Sequence, residues 1–434
     1  MRYAGQVRVE LPYGDSVLAA NVPDDAVVLR PRPAEPLADP RAAVAHAIAS
    51  PVAGPPLARL ARAGASATIV VSDITRPVPN DLLLPPVLRA LQAGGVAAED
   101  ITIIIGAGLH RASRPDERQR MLGDAIPARY RVIDHDARDR STQEFLLRTP
   151  RGIDVWVNRE YAKADIRILT GFVEPHLFAG YSGGGKAMLP GICGQEAIMA
   201  NHDATMISHP RATWCTTDGN PIFEEMRDVA LRSDPHFTLN VTLDERKRLT
   251  GVFAGELVTA HDAAIAQAAS QYIVDIPHAF DVVIVTNMGY PADLSLYQAV
   301  KGMSVGAQAC ATGGVVLLVA ECREGLGGPE YVELLRSEES PRALLDRLSV
   351  PDHATVHDQW QVQVQAMVQA RCDVWLYSSL DRTSTAAAHL VHAADLDGAI
   401  ERILDERRVL LGRDPSVCVM PHGQLTVPRV SAAA

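Results

Sequence analysis

Three features that would point to particular protein classes are missing from this sequence. There is no surplus of positive charge: 41 Lys and Arg stand against 52 Asp and Glu, a formal net charge of −11, which disfavours nucleic acid as a partner. No apolar run is long enough for a signal peptide or a membrane-spanning helix. The six cysteines form no C-x-x-C pair, which suits neither a disulfide scaffold nor a structural zinc site. We therefore expect a soluble cytoplasmic protein with reduced, mainly buried cysteines and no membrane partner.

The chain does contain a series of short β-branched and aliphatic runs, each followed by a turn and an Ala/Leu-rich helical stretch. Continuous apolar runs indicate strands buried on both faces, as in parallel sheets covered by helices. We predict an α/β fold of two Rossmann-like domains, residues 1–275 and 276–434, each with a mainly parallel sheet; whether the last residues return to the first domain is open. The predicted strands are residues 67–73, 101–108, 130–136, 165–172, 281–288, 313–320, 372–379 and 416–423.

Polar residues follow the first two predicted strands, at the sheet edge where ligands bind in open parallel sheets. Asp73 and Arg76 lie three residues apart in a proline-stiffened turn; a helix N-cap with a local ion pair is the alternative interpretation. After the second strand, Gly106 and Gly108 permit close backbone approach to a ligand. His110 follows directly and is a candidate acid or base, with a structural histidine as the alternative.

The stretch from residue 174 to residue 191 is rich in glycine and carries a lysine. Gly180 to Lys186 fits the first part of the G-x-x-x-x-G-K phosphate-binding pattern, but Ala187 stands where magnesium coordination needs Ser or Thr. The preceding strand also ends about ten residues too early for that motif. A nucleotidase is therefore a weak alternative, whereas a glycine-rich loop with a lysine suits a phosphate-bearing cofactor that is held and not hydrolysed.

Two further sites carry candidate residues. His202, after the helical stretch at residues 194–200, could bind a metal through a neutral imidazole nitrogen, although a solvated or capping histidine is the alternative. Tyr297, Gln298 and Lys301 lie on a predicted helix. Gln298 and Lys301 can share one face and grip a carboxylate, unless this face is simply solvated.

In their order and residue types, these motifs together resemble the nickel-dependent lactate racemase family. Residues 11–14 and 419–423 extend the resemblance over almost the whole chain, and no position expected to be functional departs from the pattern. The matching motifs are Ser72-Asp73-x-Thr75-Arg76-Pro77, Gly108-x-His110-Arg111, Glu174-Pro175-His176-x-Phe178-x-Gly180-Tyr181-Ser182-Gly183-Gly184-x-Lys186, Asn201-His202 and Gln298-x-x-Lys301.

The resemblance implies a cofactor, the nickel-pincer nucleotide (pyridinium-3-thioamide-5-thiocarboxylic acid mononucleotide nickel). Lys186 would correspond to the lysine that attaches the cofactor and His202 to the protein ligand of nickel. One protein ligand is enough, because the cofactor supplies sulfur, carbon and sulfur donors. Cofactor-synthesis proteins are then expected as loading partners. The full set of expected cofactor-binding residues is Asp73, Ser182, Gly183, Gly184, Gly185, Lys186 and His202.

The resemblance also implies catalytic roles in the racemisation or epimerisation of a 2-hydroxy acid. His110 and His176 would be the two acid/base histidines, Arg76 and Lys301 catalytic cations that also bind substrate, and Tyr297 and Gln298 further substrate contacts. Asp73 would support His110 or Arg76. The first domain would thus carry the cofactor and catalytic motifs, and the second would contribute substrate contacts.

The chemistry of the substrate agrees with this set of residues. The hydrogen on C2 of a 2-hydroxy acid is weakly acidic because the carboxylate is already negative, so hydride removal to a 2-oxo acid is easier than deprotonation. Two histidines then serve one enantiomer each. The sequence leaves open whether the substrate is lactate, malate, a longer or aromatic hydroxy acid or a sugar acid. A carrier that holds the cofactor without turnover is the alternative of another class.

Overall fold

The structure, a computed structural model, describes residues 5–350 and 353–431. They form two compact units. The N-terminal unit comprises residues 33–202 and 209–271, and the C-terminal unit comprises residues 5–32, 203–208 and 272–431. This division differs from the predicted boundary at residue 275, because the first described residues and a short segment after His202 belong to the C-terminal unit.

Twenty strands are present in the described residues, most of them in two six-stranded sheets. In chain order they are β1 (Gln6–Tyr13), β2 (Ser16–Pro23), β3 (Val27–Val28), β4 (Ala67–Ser72), β5 (Ile101–Gly106), β6 (Arg131–Asp134), β7 (Gln143–Arg148), β8 (Asp154–Asn158), β9 (Ile166–Phe172), β10 (Pro175–His176), β11 (Gly180–Tyr181), β12 (Phe237–Leu243), β13 (Leu249–Gly255), β14 (Ile273–Ile276), β15 (Phe280–Thr286), β16 (Cys310–Val319), β17 (Asp373–Tyr377), β18 (Val391–His392), β19 (Val417–Met420) and β20 (Val427–Val430).

Sixteen α-helices lie between these strands in the same described residues. They are α1 (Pro40–Ala49), α2 (Leu57–Leu60), α3 (Asn80–Ala93), α4 (Pro115–Leu122), α5 (Ala125–Arg129), α6 (Arg159–Lys163), α7 (Gln195–Asn201), α8 (Ala204–Ser208), α9 (Pro221–Arg232), α10 (Leu257–Tyr272), α11 (Leu296–Ala309), α12 (Pro329–Arg336), α13 (Pro341–Leu348), α14 (Gln359–Gln369), α15 (Arg382–Ala387) and α16 (Leu396–Leu411). Among them, no helix is long and apolar enough to cross a membrane.

The sheet of the N-terminal unit has the strand order β13-β12-β9-β4-β5-β6. All neighbours are parallel except β12 and β13, which form an antiparallel pair at one edge. Its central strands are buried apolar runs, and Ile69 and Ile103 share a core with Val44 of α1 and Leu84 of α3. The carboxyl ends of β4, β5 and β9 therefore meet at one edge of the sheet, where the motifs follow.

The sheet of the C-terminal unit is parallel throughout, in the order β18-β17-β16-β15-β19-β3. β3 pairs with β19, and Leu11 and Ala20 of the β1–β2 hairpin pack in the core beside Ile284 and Ile400. These contacts explain why residues 5–32 belong to this unit. β20 pairs with β14, so the last described strand also belongs to this unit.

The predicted fold class is confirmed: two α/β units each contain a mainly parallel sheet. Each of the eight predicted strands coincides with an observed one, β4, β5, β6, β9, β15, β16, β17 and β19. The sequence analysis did not find β12, whose seven residues are all buried although it carries Thr238, Asn240 and Thr242. Within the described residues the six cysteines form no disulfide, and only Cys215 is partly exposed.

Helix α14 is buried although every second residue of its first half is a glutamine. Gln359, Gln361, Gln363 and Gln365 are each at most 3% exposed. The amide of Gln361 donates to the carbonyl of Tyr297 at 2.6 Å, that of Gln363 to Ala204 at 2.8 Å and that of Gln365 to Ala388 at 2.9 Å. The helix is thus fixed to α11, α8 and the end of α15 by directional bonds, as buried polar groups require.

Candidate active site

An open cavity lies at the carboxyl ends of β4, β5 and β9 in the N-terminal unit; about 590 Å³ of space, part of it open to solvent, is not filled by protein atoms. Its walls are the ends of those strands, the loops after β4 and β5, the glycine-rich loop and residues 190–191. The predicted site residues among its lining are Asp73, Arg76, His110, Ser182, Gly183 and Lys186. Three motifs far apart in sequence therefore meet in one cavity.

Asp73 and His110 form a hydrogen-bonded pair at this cavity. Nδ1 of His110 donates to Oδ2 of Asp73 at 2.6 Å, while the backbone N–H and the hydroxyl of Thr75 donate to Oδ1. Burial raises the pKa of Asp73, but the hydrogen bond and charge of His110, with Thr75 and Arg76, outweigh it and lower the pKa overall. The carboxylate stays charged near neutrality. In neutral His110 the lone pair is consequently on Nε2.

Two arginines near this pair are held by carboxylates. Nε of Arg76 lies 3.9 Å from Oε1 of Glu174, and both side chains are mostly buried. Arg111, next to His110, makes a bidentate contact with Glu117, at 2.8 and 2.6 Å. The Arg111 hydrogen bond is the largest of the effects that lower the pKa of Glu117 to about 2. Arg76 thus provides positive charge in the cavity, and Arg111 fixes the loop that presents His110.

The glycine-rich loop is held by the protein on several sides. Oγ of Ser182 donates to the carbonyl of Phe172 at 2.7 Å, Nε2 of His261 donates to the carbonyl of Ser182 at 2.9 Å, and N–H of Gly184 donates to Oδ1 of Asn240 at 3.0 Å. A Cβ on Gly184 would lie 2.2 Å from the His261 ring, and its φ is +48°. The glycines therefore serve tight packing against the protein as well as access to a ligand.

This loop does not have the geometry of a nucleotide-hydrolysing phosphate loop. Gly184–Ala187 forms a short 3-10 turn and does not open a long helix, whereas that motif places its lysine at the start of one. Gly183, Gly185 and Lys186 also line a smaller second cavity with His261, but Gly184 and Gly185 are not in the lining of the main cavity. The direct contact of these two glycines with a cofactor stays a prediction.

Gly106 and Gly108 approach another loop of the protein. N–H of Gly108 donates to the carbonyl of Gly191 at 3.0 Å, and a Cβ on Gly106 would lie 3.3 Å from that same oxygen. Both glycines also line the cavity. The close approach expected from the sequence is therefore made to backbone, and this contact ties the loop of His110 to the segment that follows Lys186.

His176 and His202 are buried outside the lining of the main cavity and are linked through Phe178. The Phe178 ring lies edge-on to both, with centroids 4.6 Å from His176 and 5.1 Å from His202. Nδ1 of His202 donates to the carbonyl of Ile198 at 3.0 Å. Burial, together with the charge of Lys186, lowers the pKa of His202 to about 3. The ring is neutral, and its lone pair lies on Nε2, the form that binds metals.

His176 differs from His110 and His202 in the arrangement of its ring nitrogens. The backbone N–H of Ala179 donates to Nδ1 of His176 at 3.2 Å, so the hydrogen of the neutral ring lies on Nε2. The neutral ring of His176 can therefore donate a hydrogen bond from Nε2, whereas the neutral ring of His110 can accept one at Nε2.

The remaining predicted residues lie in the C-terminal unit, on α11. Nζ of Lys301 donates to Oε1 of Gln298 at 3.0 Å, so the two do share a helix face. The ring of Tyr297 packs edge-on against Tyr331, at 5.3 Å between centroids, and its carbonyl accepts from Gln361. The structure therefore places a lysine and an amide together on α11, as the spacing indicated.

Sequence reasoning did not find the residues that support the glycine-rich loop. Asn240 lies on β12 and His261 on α10, at least fifty residues along the chain from the loop. Neither sits in a recognisable motif, and only tertiary structure brings them there. Glu174 is the first residue of the motif that ends at Lys186, but nothing in the sequence indicates that it lies close to Arg76.

Comparisons with known proteins match the chain over most of its length. The family model for the lactate racemase N-terminal domain matches residues 13–215, and the model for the lactate racemase C-terminal domain matches residues 276–427. The lactate racemase of Thermoanaerobacterium thermosaccharolyticum is 31% identical over 427 residues, covering 97% of this chain and 99% of that protein. The lactate racemase of Lactiplantibacillus plantarum is 32% identical over 426 residues, covering 96% and 98% respectively.

Two solved structures are similar to the fold described above. The lactate racemase apoprotein from T. thermosaccharolyticum superposes with a TM-score of 0.90 at 30% identity, covering 98% of this chain and 100% of the other. A protein from Thermotoga maritima has a TM-score of 0.66 at 18% identity, covering 90% and 97%; this similarity concerns the fold alone.

Proposed function

Because the chain belongs to the lactate racemase family, we propose that it racemises or epimerises a small 2-hydroxy acid, with lactate as the first candidate. The predicted family and the predicted enzyme class, an isomerase, are thereby confirmed; the substrate and the mechanism are proposals. The observation that carries them is the Asp73–His110 pair in the same cavity as Lys186 and Arg76. An oriented base, a cation and an amine converge where a 2-hydroxy acid would need them.

We propose a nickel-pincer nucleotide as the cofactor, and the residues present fit such a group. Lys186 lines the cavity, and its charge also reaches His202. His202 is a neutral imidazole whose Nδ1–H is fixed by Ile198, an arrangement typical of histidines that ligate metals. Lys186 and His202 would hold the group, with Asp73 and residues 182–185 nearby. When bound, the group supplies an acceptor that takes hydride from C2 of the substrate and returns it.

His110 performs the proton transfer for one enantiomer. Its Nδ1–H is directed to Asp73, so Nε2 can take the proton of the substrate hydroxyl as C2 loses hydride. Asp73 stabilises the imidazolium that results, since its lowered pKa keeps it charged. The 2-oxo acid formed in this way stays bound until hydride returns to its other face.

His176 performs the corresponding transfer for the other enantiomer. To act as a base at Nε2, its ring must move the hydrogen to Nδ1, which requires release of the Ala179 N–H. The two histidines are therefore unequal before substrate binds: His110 is ready to accept a proton, and His176 to donate a hydrogen bond to the carbonyl oxygen of the 2-oxo acid.

The cations orient the substrate carboxylate. Arg76 offers a planar donor fork suited to a carboxylate, and Lys301, with Gln298, is proposed as a further contact. These groups bind the end common to all 2-hydroxy acids, so malate, longer or aromatic hydroxy acids and sugar acids remain candidate substrates. The cofactor-synthesis proteins as loading partners and the cytoplasmic location likewise stay predictions.

The test uses protein co-expressed with cofactor-synthesis proteins and a panel of single-enantiomer 2-hydroxy acids, analysed by chiral chromatography. We expect the opposite enantiomer to appear for at least one acid, and His110→Ala and His176→Ala to abolish its formation. His46→Ala, on the exposed face of α1, is the matched control and should retain full activity. Intact-mass analysis should show an adduct that Lys186→Ala removes.

Two results would contradict the proposal. Loaded protein that converts no acid of the panel is not a racemase or epimerase of this class. Protein whose two histidine variants keep the adduct and lose no measurable property is a carrier, the alternative that the sequence left open.

A further inference from the structure

A second cluster of metal-ligating side chains lies in the C-terminal unit, outside the site described above. It consists of Glu330 in the first turn of α12, and His357 and Asp358 immediately before α14. One ligand atom from each side chain lies within 4.8 Å of the other two. From this cluster we propose a binding site for a first-row divalent cation, for which Zn²⁺ is the probe. The proposal does not depend on the proposed function.

The position of Asp358 gives the first argument. Aspartate preceding a helix usually accepts hydrogen bonds from its first N–H groups, yet Asp358 has φ of +64° and its side chain makes no such bond. The side chain is only 12% exposed, and within residues 5–350 and 353–431 its carboxylate makes one ion pair, with His357. A mostly buried carboxylate that is neutralised by a single imidazole can accept a further cationic partner.

The charges around the cluster give the second argument. Glu330 and Asp358 bring two like charges close together, and in the described part of the chain neither forms an ion pair with a lysine or arginine. The nearby basic group is the imidazole of His357, whose Nδ1 lies 3.4 Å from Oδ2 of Asp358. The carboxylates of Glu330 and Asp358, with ligand atoms within 4.8 Å of each other, repel one another. The imidazole of His357 offsets only part of the repulsion between the two carboxylates, and a divalent cation between them would remove the rest.

The geometry of the three ligands suits such an ion. Bonds of about 2.0–2.1 Å from a tetrahedral cation place two ligand atoms roughly 3.4 Å apart, which is the separation of His357 and Asp358. Glu330 is exposed and can rotate inward. A Cβ on Gly328 would lie 3.5 Å from the Asp358 carboxylate and 3.8 Å from that of Glu330, so this glycine leaves space beside both.

The donor set indicates which cations are preferred. One imidazole nitrogen with two carboxylates is typical of Zn²⁺ and related first-row ions, whereas Ca²⁺ and Mg²⁺ favour oxygen ligands alone. Solvent would complete the coordination from the exposed side of Glu330. An ion here joins the first turn of α12 to the residues that precede α14. It thereby stabilises the N-terminal turn of α14, where the amide of Gln361 donates to the carbonyl of Tyr297.

The experiment is a calorimetric titration of chelator-treated, full-length protein with Zn²⁺ alone. The His202→Ala background removes the other proposed metal ligand. We expect one equivalent to bind with a Kd below about 100 μM and to raise the melting temperature. Glu330→Gln, His357→Ala and Asp358→Asn should each weaken binding by about tenfold or more. Asparagine tolerates the positive φ at position 358, and Glu330 is exposed, so these variants should fold.

Matched controls are Glu333→Gln, also exposed on α12, and His278→Ala, an exposed histidine of the same unit. Both should bind Zn²⁺ like the parent. Bound Co²⁺ should show the visible absorption of an ion with a low coordination number, and His357→Ala should lose this absorption. Binding weaker than about 100 μM, or binding that the three variants leave unchanged, would overturn the proposal and leave the cluster as a local ion pair.

Discussion

Nδ1 of His110 and Oδ2 of Asp73 lie 2.6 Å apart, although the two residues follow different strands of the sheet. β4 and β5 are parallel neighbours in register from Ala67 and Ile101 onward, so their following loops emerge side by side. The pair is thus a product of strand pairing, and it sets which nitrogen of His110 can take a proton.

Replacement of Asp73 by asparagine should therefore impair catalysis more than folding. The amide can donate to Nδ1 and so place the hydrogen of His110 on Nε2, the wrong tautomer for a base. We expect kcat for formation of the opposite enantiomer to fall by about 100-fold or more, measured by chiral chromatography on loaded protein. Asp100→Asn, at an exposed aspartate, should be neutral. An unchanged kcat in Asp73→Asn would show that Asp73 does not set the tautomer.

Substitution of Gly184 tests the packing of the glycine-rich loop. Gly184→Ala places a Cβ 2.2 Å from the His261 ring at φ +48°, and we expect a loss of about 3 kcal/mol in the free energy of unfolding. Gly64→Ala is the matched control, because Gly64 has φ of +76° but no atom within 4 Å of the added Cβ. It should lose only about 1 kcal/mol.

The double variant Gly184→Ala with His261→Ala separates clash from backbone strain. Removal of the ring should restore part of the lost stability. If the double variant is no more stable than the sum of the two single changes predicts, contact between residue 184 and the ring is not the cause.

The Arg111–Glu117 contact predicts a pH dependence of stability. The pKa of Glu117 is lowered to about 2 in the folded protein, from 4.5. Its contribution is therefore present above about pH 4.5 and is lost as the pH falls towards 2. Glu117→Gln should reduce the free energy of unfolding by about 1–2 kcal/mol at pH 7, with a difference that shrinks below pH 4.5. Urea denaturation at pH 7, 5, 4 and 3 measures it. Glu99→Gln, at an exposed position, should show no such trend.

Replacement of Lys301 by methionine tests the proposed substrate contact on α11. Methionine keeps the length of the side chain and removes its charge, so we expect KM for the 2-hydroxy acid to rise about tenfold or more. Lys247→Met is the control at an exposed lysine. A KM that is unaltered in Lys301→Met, with full activity, would remove Lys301 from the substrate site.

The strands that position the site were predictable because they are buried on both faces. Runs such as Ala67–Ser72 and Ile101–Gly106 are mostly β-branched and apolar, and their first five residues are all buried, as is typical of a parallel sheet covered on both faces. β12 has no such pattern, because Thr238, Asn240 and Thr242 occupy its fully buried positions. Residues of these polar types are usually exposed, so their presence does not indicate a buried strand. Asn240 is buried because its side chain serves the loop at Gly184.

The grouping of residues 5–32 with the C-terminal unit had no signal in the sequence for a related reason. Pairing of β3 with β19 joins residues almost four hundred positions apart, and no local pattern records such a partner. Cavity residues were easier to find, since their motifs follow strands. What sequence could not supply was the state of each histidine, because the partners of Nδ1 in His110, His176 and His202 are a carboxylate, a backbone N–H and a carbonyl respectively.

The glutamines of α14 have a consequence for how the C-terminal unit can vary. An apolar helix in the same place could slide or rotate by a residue and still bury its surface, whereas the amides of Gln361, Gln363 and Gln365 must each meet one particular carbonyl. The helix therefore has a single permitted register. Insertions or deletions of one residue within it would break several bonds at once, so natural variation here should occur by substitution at unchanged length.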